Sequence, residues 1–379
     1  MLYSPTSTLK AFLIVLSLFS MSACFKNPFK KEAPGEYKSF IDYCESMDRD
    51  ASIKTTISAI LKELQIPLEN PDCQKAMDLL EKSSYLNLSQ RGDLANLAPL
   101  AHLKQLQALD LSFNAISDLA PLASLDALSA LNLSHNKISN LLPLASLSGL
   151  QSLNVGQNKL QDITPLTSLQ KLKALELSTN EISNIEVLGK LSDLTGLNIS
   201  GNKIESIEVL RNLLMLEGVD LSNNAISSLA PLASLSKLTG LYALNCKIEK
   251  IDALSNLTEL QIINLSSNSI SDLSPLSSLT KLTSIYLDDN KISNLQALSK
   301  LHALRGISII NNQISDLSPL SSLPALMALD VSKNKITSIA PLKNCKSLEA
   351  LHLSGNHITD LSIAKELPAL KDLQPQSNP

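Results

Sequence analysis

The sequence predicts an α/β solenoid, in which short coils stack so that their strands form one parallel sheet on a concave side. Two columns of residues with a period of 22 carry this prediction. Leucine recurs at 106, 128, 150, 172, 194, 216, 238, 260, 282, 304, 326 and 348, and asparagine at 114, 136, 158, 180, 202, 224, 268, 290, 312, 334 and 356. Only Cys246 interrupts the asparagine column. Because a fixed period of this length is the signature of repeat architectures, it outweighs the two or three domains that 379 residues would otherwise suggest.

One coil explains why the repeats must stack. Leu109-Asp110-Leu111 alternates apolar and polar residues, which predicts a short strand with one buried face. A single coil cannot bury its own leucines, so neighbouring coils have to cover them. Asn114 follows the strand, and its amide has donors and an acceptor for backbone groups that the turn would otherwise bury unpaired. Cys246 keeps only a weak donor at this position, and we interpret it as structural rather than as a reactive thiol.

The convex side is predicted to consist of turns and short 3₁₀ segments. A proline column indicates this, because proline lacks the backbone donor that a central strand needs. A second column holds aspartate, asparagine or serine in most coils, and such side chains favour turns by bonding nearby amides. The prolines are Pro121, Pro143, Pro165, Pro231, Pro275, Pro319 and Pro341.

The pattern L-x-x-L-x-L-x-x-N/C-x-L resembles the leucine-rich repeat family. Its tail, as in Ile116-Ser117-Asp118-Leu119-Ala120-Pro121-Leu122, is similar to the 22-residue subclass found in bacterial internalins and in the regulatory subunit of protein phosphatase-1. The resemblance covers residues 86–373 and implies a horseshoe of leucine-rich repeats. It says little about the partner, since these repeats are a scaffold for many functions.

The first 23 residues are predicted to be a lipoprotein signal peptide. Lys10 precedes an apolar run of signal-core length, which is too short to span a bilayer. The run ends in Met21-Ser22-Ala23-Cys24, which resembles a bacterial lipobox and implies that Cys24 carries fatty acid, such as palmitate. The alternative is an ordinary secretory signal in which Cys24 is incidental. If the cell is Gram-negative, Phe25 after the cysteine resembles outer-membrane sorting.

Residues 24–37 contain prolines and lysines without an apolar period, which favours a tether, although an extension of the next segment fits as well. Residues 38–84 are predicted to be a helical N-terminal cap, because one helix face collects Ile53, Ile57, Ile60, Leu61 and Leu64. The remaining boundaries are repeats over 85–373 and a tail over 374–379. In the oxidising envelope that a signal peptide implies, we expect a disulfide between the two cap cysteines, Cys44 and Cys73.

The sequence shows no motif of a catalytic site or of a cofactor site. It contains no G-x-S-x-G, H-E-x-x-H, Walker A or Gly-rich dinucleotide sequence. We expect the five histidines to be surface residues rather than metal ligands, since His352 and His357 have no cysteine or carboxylate partner near them in sequence. A net charge of −4 without long charge runs does not indicate nucleic acid. We therefore expect a protein that is not an enzyme and has no cofactor.

The concave strands supply the candidate binding site. Outward positions are small or polar in most coils, but four consecutive coils depart from this pattern. Exposed apolar and aromatic clusters commonly mark interaction sites, and tyrosine is enriched in binding hot spots. Neutral variation in a tolerant column is the alternative, and we favour a site because the departures cluster. The proposed residues are Tyr242, Leu244, Ile262, Asn264, Tyr286, Asp288 and Ile310, with Ser308 beside them.

Two functions remain. The resemblance to internalins implies an envelope-anchored adhesion or interaction module, held at the outer membrane or cell surface by lipid on Cys24, that binds a host or envelope protein. The resemblance to the phosphatase regulator implies a regulatory subunit of an enzyme, and the secretory signal counts against a cytoplasmic phosphatase as its target. In either case we expect a monomer.

Overall fold

The computed structural model describes residues 37–378. The predicted signal peptide, Cys24 and nearly all of the tether lie outside these residues. The described chain divides between Glu181 and Ile182 into two compact units. No helix among the described residues has the length and the apolar content that crossing a bilayer requires.

Every coil contributes one three-residue strand, and successive strands pair in parallel within each unit. In the first unit the strands are β1 (Tyr85–Asn87), β2 (Ala108–Asp110), β3 (Ala130–Asn132), β4 (Ser152–Asn154) and β5 (Ala174–Glu176). In the second unit they are β6 (Gly196–Asn198), β7 (Gly218–Asp220), β8 (Gly240–Tyr242), β9 (Ile262–Asn264), β10 (Ser284–Tyr286), β11 (Gly306–Ser308), β12 (Ala328–Asp330), β13 (Ala350–His352) and β14 (Asp372–Gln374).

A short 3₁₀ helix crosses the opposite side of each coil, as the proline and aspartate columns predict. Asp118 shows the local cause, because its Oδ1 accepts from the Ala120 N–H at 2.9 Å and the 3₁₀ helix starts there with Pro121 in its first turn. In the first unit these helices are Ala98–His102, Ala120–Ser124, Leu142–Ser146 and Thr164–Ser168. In the second they are Glu186–Lys190, Glu208–Asn212, Ala230–Ser234, Asp252–Leu254, Ser274–Leu276, Gln296–Leu298, Ser318–Leu320, Ala340–Asn344 and Ser362–Glu366.

The leucine column and its companions fill the inside of each coil. The inward residues of the coil that contains β2 are all at most 2% exposed: Leu106, Leu109, Leu111, Ile116, Leu119, Leu122 and Leu125. The same positions are buried in the second unit, where Cys345 replaces a leucine and is 1% exposed. The predicted fold class, a solenoid of leucine-filled coils with a parallel sheet and 3₁₀ turns, is confirmed.

The asparagine column joins neighbouring coils by hydrogen bonds. Asn136 donates from Nδ2 to the carbonyls of Leu133, in its own coil, and Leu111, in the coil before, at 3.0 and 2.9 Å. Its Oδ1 accepts from the Ile116 N–H of that preceding coil at 2.9 Å. One side chain therefore satisfies backbone groups of two coils that the turn partly shields from water.

Three α-helices precede the first coil: α1 (Phe40–Glu45), α2 (Ala51–Glu63) and α3 (Cys73–Lys82). Helix α2 buries Ile53, Ile57, Ile60 and Leu61, whereas Leu64 follows its last residue and stays partly exposed. Two bonds tie α2 and α3 to the first coils. The Thr56 hydroxyl donates to the Asn96 carbonyl at 2.6 Å, and Gln105 Nε2 donates to the Leu80 carbonyl at 2.7 Å. The helices thereby cover leucines that would otherwise face water.

Cys44 in α1 and Cys73 at the start of α3 form a disulfide, with Cα atoms 5.8 Å apart. Both residues are buried, at 1% and 7% exposure. The bridge joins the first and third helices across a sequence separation of 29 residues.

The repeats continue past the boundary that the sequence analysis placed at Leu373. Strand β14 includes Gln374, and Asn378 occupies the asparagine position of a further coil. Its Oδ1 accepts from the Ile358 N–H at 2.9 Å, and its Nδ2 donates to the Leu353 carbonyl at 3.0 Å. Residues 374–378 are thus part of the last coil rather than a tail. Asn378 makes the same bonds to the preceding coil as the other asparagines of its column, although this coil has few leucines.

Candidate functional site

The register of the second unit brings the two predicted tyrosines onto one line. Tyr242 pairs with Asn264, and Asn264 pairs with Tyr286. At the usual spacing between strands, the tyrosine Cα atoms are about 10 Å apart. We call this line the strand row. Its members are the third residues of β7 to β12: Asp220, Tyr242, Asn264, Tyr286, Ser308 and Asp330.

The residues two positions later form a second line on the same outward face of the sheet, which we call the turn row. It consists of Ser222, Leu244, Ser266, Asp288, Ile310 and Ser332. Leu244 and Ile310 are half-buried and are separated by the polar pair Ser266 and Asp288. Ile262, the first residue of β9, is also half-buried. The structure therefore gathers all seven predicted residues on one face, but as partly covered groups rather than as fully exposed ones.

In three of its six coils the strand row has a structural task. The Oδ1 atom of Asp220 accepts from the Ser222 N–H at 2.9 Å, and that of Asn264 accepts from the Ser266 N–H at 3.1 Å. The same bond recurs at Asp330 at 3.0 Å. An aspartate or asparagine here ends the strand by bonding the amide two residues on, which is the ordinary behaviour of these side chains in turns.

Tyrosine cannot make this bond, and the preceding coil supplies the acceptor instead. The Leu244 N–H donates to Ser222 Oγ at 3.1 Å, and the Asp288 N–H donates to Ser266 Oγ at 3.1 Å. Tyr242 and Tyr286 thus interrupt the strand row without leaving an amide unpaired.

Asp288 has a different role from the one that the sequence suggests. Its side chain is 9% exposed, and its Oδ1 accepts from the Ser308 hydroxyl at 2.6 Å and from the Ile310 N–H at 2.8 Å. The carboxylate is therefore used in bonds to Ser308 and Ile310 of the next coil and adds little to a polar rim. Asp289 is exposed, and its Oδ1 accepts from Asn311 Nδ2 at 2.7 Å, so the exposed charge of this coil lies there.

Two electrostatic effects mark the N-terminal end of the patch. Burial raises the pKa of the Tyr242 hydroxyl, and the nearby Asp220 and Tyr286 raise it further, so the hydroxyl stays protonated at neutral pH. Burial also raises the pKa of the Asp220 carboxyl, against the lowering effect of its bonds with Ser222. Asp220 was not among the predicted site residues. The signal available was its position in the same column as Tyr242, one coil earlier.

Two glycines beside these residues were also missed. Gly218 and Gly240 are the first residues of β7 and β8, where several other coils have alanine or serine. No atom lies within 4 Å of the place that a Cβ would take at Gly218, and at Gly240 the nearest atom is Tyr242 Cε2 at 3.8 Å. Bare backbone therefore adjoins both Asp220 and Tyr242.

The expectation of surface histidines is wrong for His352. This residue is 6% exposed and lies between two carboxylates, with Nδ1 3.2 Å from Asp330 and Nε2 3.0 Å from Asp372. Stacking of three strands brings these residues together, although they are 20 and 22 positions apart. His357 is exposed. No group of histidine, cysteine and carboxylate side chains suited to a metal ion occurs within residues 37–378.

Neither of the two free thiols within residues 37–378 has the surroundings of a nucleophile. Burial raises the pKa of the Cys345 thiol and of the Cys246 thiol. Reactive cysteines need the opposite shift. Cys246 Sγ points to the carbonyls of Leu221 and Leu244 at 3.5 and 3.7 Å, which are weaker versions of the asparagine contacts in other coils.

Comparison with known proteins agrees with this architecture. Models of leucine-rich repeats match residues 102–119, 148–204, 258–300 and 328–371. A search of curated proteins found no match. Among solved structures, an internalin (InlF) from Listeria monocytogenes is 29% identical with a TM-score of 0.80, over 87% of this chain and 96% of that one.

Two further structures show how widely the fold is shared. A leucine-rich repeat protein of Leptospira interrogans is 26% identical with a TM-score of 0.70, over 80% of this chain and 87% of that one. The Arabidopsis receptor kinase HAESA, in complex with the peptide hormone IDA and the co-receptor SERK1, is 21% identical with a TM-score of 0.62, over 78% and 58%. Folds of this kind are typical of protein–protein interaction modules. On its repeats, its coil geometry and these matches, the chain belongs to the leucine-rich repeat family.

Proposed function

We propose that this protein is an envelope-anchored interaction module that binds another protein through the outward face of its second-unit sheet, around Tyr242 and Tyr286. One observation carries the proposal. The two tyrosines replace residues that end strands in other coils, and Ser222 and Ser266 of the preceding coils take over the lost hydrogen bonds. The fold thus accepts the two rings on the sheet face while the amides that follow them stay paired.

The chemistry of the face suits a protein partner. Aromatic rings offer large contact areas with little loss of conformational entropy, and their hydroxyls can keep polar partners when buried. Leu244, Ile262 and Ile310 add apolar surface around the rings, and Asp289 adds an exposed charge at the edge. An apolar centre with a polar rim is the usual anatomy of a protein interface.

Truncating the tyrosines is expected to weaken binding. Tyr242→Ala and Tyr286→Ala should each cost about 1–2 kcal/mol of binding free energy, the range of interface hot spots. Stability should change little, because the core beneath them is filled by Leu241 and Ile285. The partner can be sought by affinity capture with the mature chain and mass spectrometry, and titration calorimetry then measures the binding free energies.

Tyr85→Ala is the matched control, since Tyr85 lies at the first strand of the other unit and is 52% exposed. Proteins that the Tyr242→Ala/Tyr286→Ala double variant loses, and that Tyr85→Ala retains, are candidates for the partner. If no captured protein distinguishes the double variant from the control, the proposed binding face is wrong.

Anchoring through acylated Cys24 is part of the proposal and rests on the resemblance of residues 21–24 to a lipobox. Two or more acyl chains hold a protein stably on a membrane where a single chain is marginal. Cys24→Ala should therefore abolish labelling by a fatty-acid probe and release the chain from the membrane fraction. Unchanged labelling and retention in this variant would leave an ordinary secretory signal as the explanation.

Regulation of an enzyme is the second candidate function. The internalin InlF similarity, at 29% identity over 87% of this chain, favours the first candidate over this one. Cell fractionation separates them, because a regulator of a cytoplasmic enzyme would be recovered with soluble protein and an envelope module would not.

A further inference from the structure

Asp220 stands out among the strand-row residues because the fold does not need its charge. Asn198 and Asn264 occupy the same position in other coils and accept the same bond from the amide two residues on, at 2.9 and 3.1 Å. Asp220 makes this bond at 2.9 Å, yet burial acts against its ionised form. It forms no ion pair within the described part of the chain. A carboxylate kept where an amide would serve at lower cost indicates a use outside the fold.

The surroundings of Asp220 have the shape of a slot for one long side chain. Tyr242 pairs directly with Asp220 across β7 and β8 and forms one wall. Gly218 and Gly240 pair with each other next to them. The Tyr242 ring lies against Gly240, with Cε2 3.8 Å from the place of a Cβ there, so the open floor of bare backbone is at Gly218. A side chain at Gly218 would meet nothing within 4 Å, which shows that the space above this floor is open.

We propose that Asp220, Tyr242, Gly218 and Gly240 form a subsite for a lysine or arginine side chain of the protein partner. The aliphatic stem lies over Gly218, beside the ring that covers Gly240, and the cationic head reaches the Asp220 carboxylate while it contacts the Tyr242 ring. Asp220 has no cationic partner within the described chain. A lysine or arginine of the partner supplies one and forms a charge-assisted hydrogen bond with the carboxylate. The ring adds a cation–π attraction, which is usually stronger for arginine, whose flat guanidinium also stacks.

This subsite deepens the proposed function and rests on it, since it assigns the chemistry of the partner at one end of the tyrosine patch. The exposed Asp289 at the other end of the patch favours a basic partner as well. An acidic side chain of the partner would be repelled by the Asp220 carboxylate, and a neutral one would leave that carboxylate without a cation.

The test uses small probes, so it does not depend on identifying the partner. The probes are Nα-acetyl-arginine N-methylamide and its citrulline analogue, which has a similar shape and no charge. Each is titrated into the ¹⁵N-labelled mature chain, and the amide signals of Gly218 and Gly240 are followed by NMR. The arginine probe should shift both signals and saturate at millimolar concentration, and the citrulline probe should not saturate.

Asp220→Asn supplies the matched variant, because asparagine at this position makes the same structural bond in β6 and β9. This substitution should lower the affinity of the arginine probe by about fivefold or more, the order expected for losing one partly buried charge pair. Asp110→Asn, the same change in β2 of the other unit, should have no effect. Tyr242→Phe should keep most of the affinity because the ring remains.

Equal binding of the arginine and citrulline probes, or equal binding to the Asp220→Asn variant and the unaltered chain, would overturn the subsite. Its failure is distinguishable from failure of the proposed function. If only the subsite is wrong, Tyr242→Ala and Tyr286→Ala still lose the protein partner, while the arginine probe binds the Asp220→Asn variant and the unaltered chain with equal affinity.

Discussion

Replacing Asn334 by alanine should lower the free energy of unfolding by roughly 3 kcal/mol or more, because each buried polar group left unpaired costs about 1–3 kcal/mol. Asn334 is 5% exposed, and its Nδ2 donates to the carbonyls of Ile309 and Val331 at 2.8 and 3.0 Å. Its Oδ1 accepts from the Ile314 N–H at 2.9 Å. Alanine would leave the Ile309 carbonyl and the Ile314 N–H of the preceding coil without partners, whereas the Val331 carbonyl keeps its bond from Asn356 Nδ2 at 3.0 Å. Urea denaturation followed by circular dichroism measures the change.

Asn344→Ala is the control, since Asn344 is exposed at the end of a 3₁₀ helix and should change stability by less than about 0.5 kcal/mol. The opposite change is available at the one interruption of the column. Cys246→Asn should raise the free energy of unfolding by about 1 kcal/mol, because an amide replaces the weak contacts of Sγ. Equal urea midpoints for Asn334→Ala and Asn344→Ala would show that water or a local shift satisfies the freed groups.

Removing the disulfide with Cys44→Ala and Cys73→Ala together should cost about 3–4 kcal/mol, the chain-entropy value for a loop of this length. The loss should concentrate in residues 37–84, since the bridge ties α1 to α3 and these helices cover the first coil. Hydrogen exchange measured by mass spectrometry should therefore show faster exchange in the helices and in the coil of Leu94 and Leu100. The coils of the second unit should exchange as before.

A reducing agent provides the control for the disulfide prediction. It should shift the unfolding midpoint of the unaltered chain and leave that of the double variant in place. A midpoint of the unaltered chain that does not respond to reduction, together with free thiols at Cys44 and Cys73, would show that the bridge does not form in the protein.

The sequence was sufficient to predict the solenoid, because a residue type that recurs at a fixed period shows which side chains occupy equivalent positions in successive coils. The same reasoning predicted the 3₁₀ side from its prolines and the line of Tyr242, Asn264 and Tyr286 from the repeat length. It misplaced the end of the repeats, since the last coil keeps Asn378 but few of the leucines that make a coil recognisable. The period no longer identifies a coil when only one of its characteristic columns, here the asparagine, is present.

The sequence by itself determined the column in which each side chain lies. Residues that are 22 positions apart become neighbours when the coils stack, so the repeat length is enough to assign the columns. Only the tertiary structure decided which neighbours satisfy one another. Three features depend on how the coils stack: the hydrogen bond from Ser308 to Asp288, the position of His352 between two carboxylates, and the open backbone beside Asp220. Hydrogen-bond distance, ring placement and access of water vary from coil to coil although the columns do not, and these quantities decide whether a polar residue serves the fold or faces a partner.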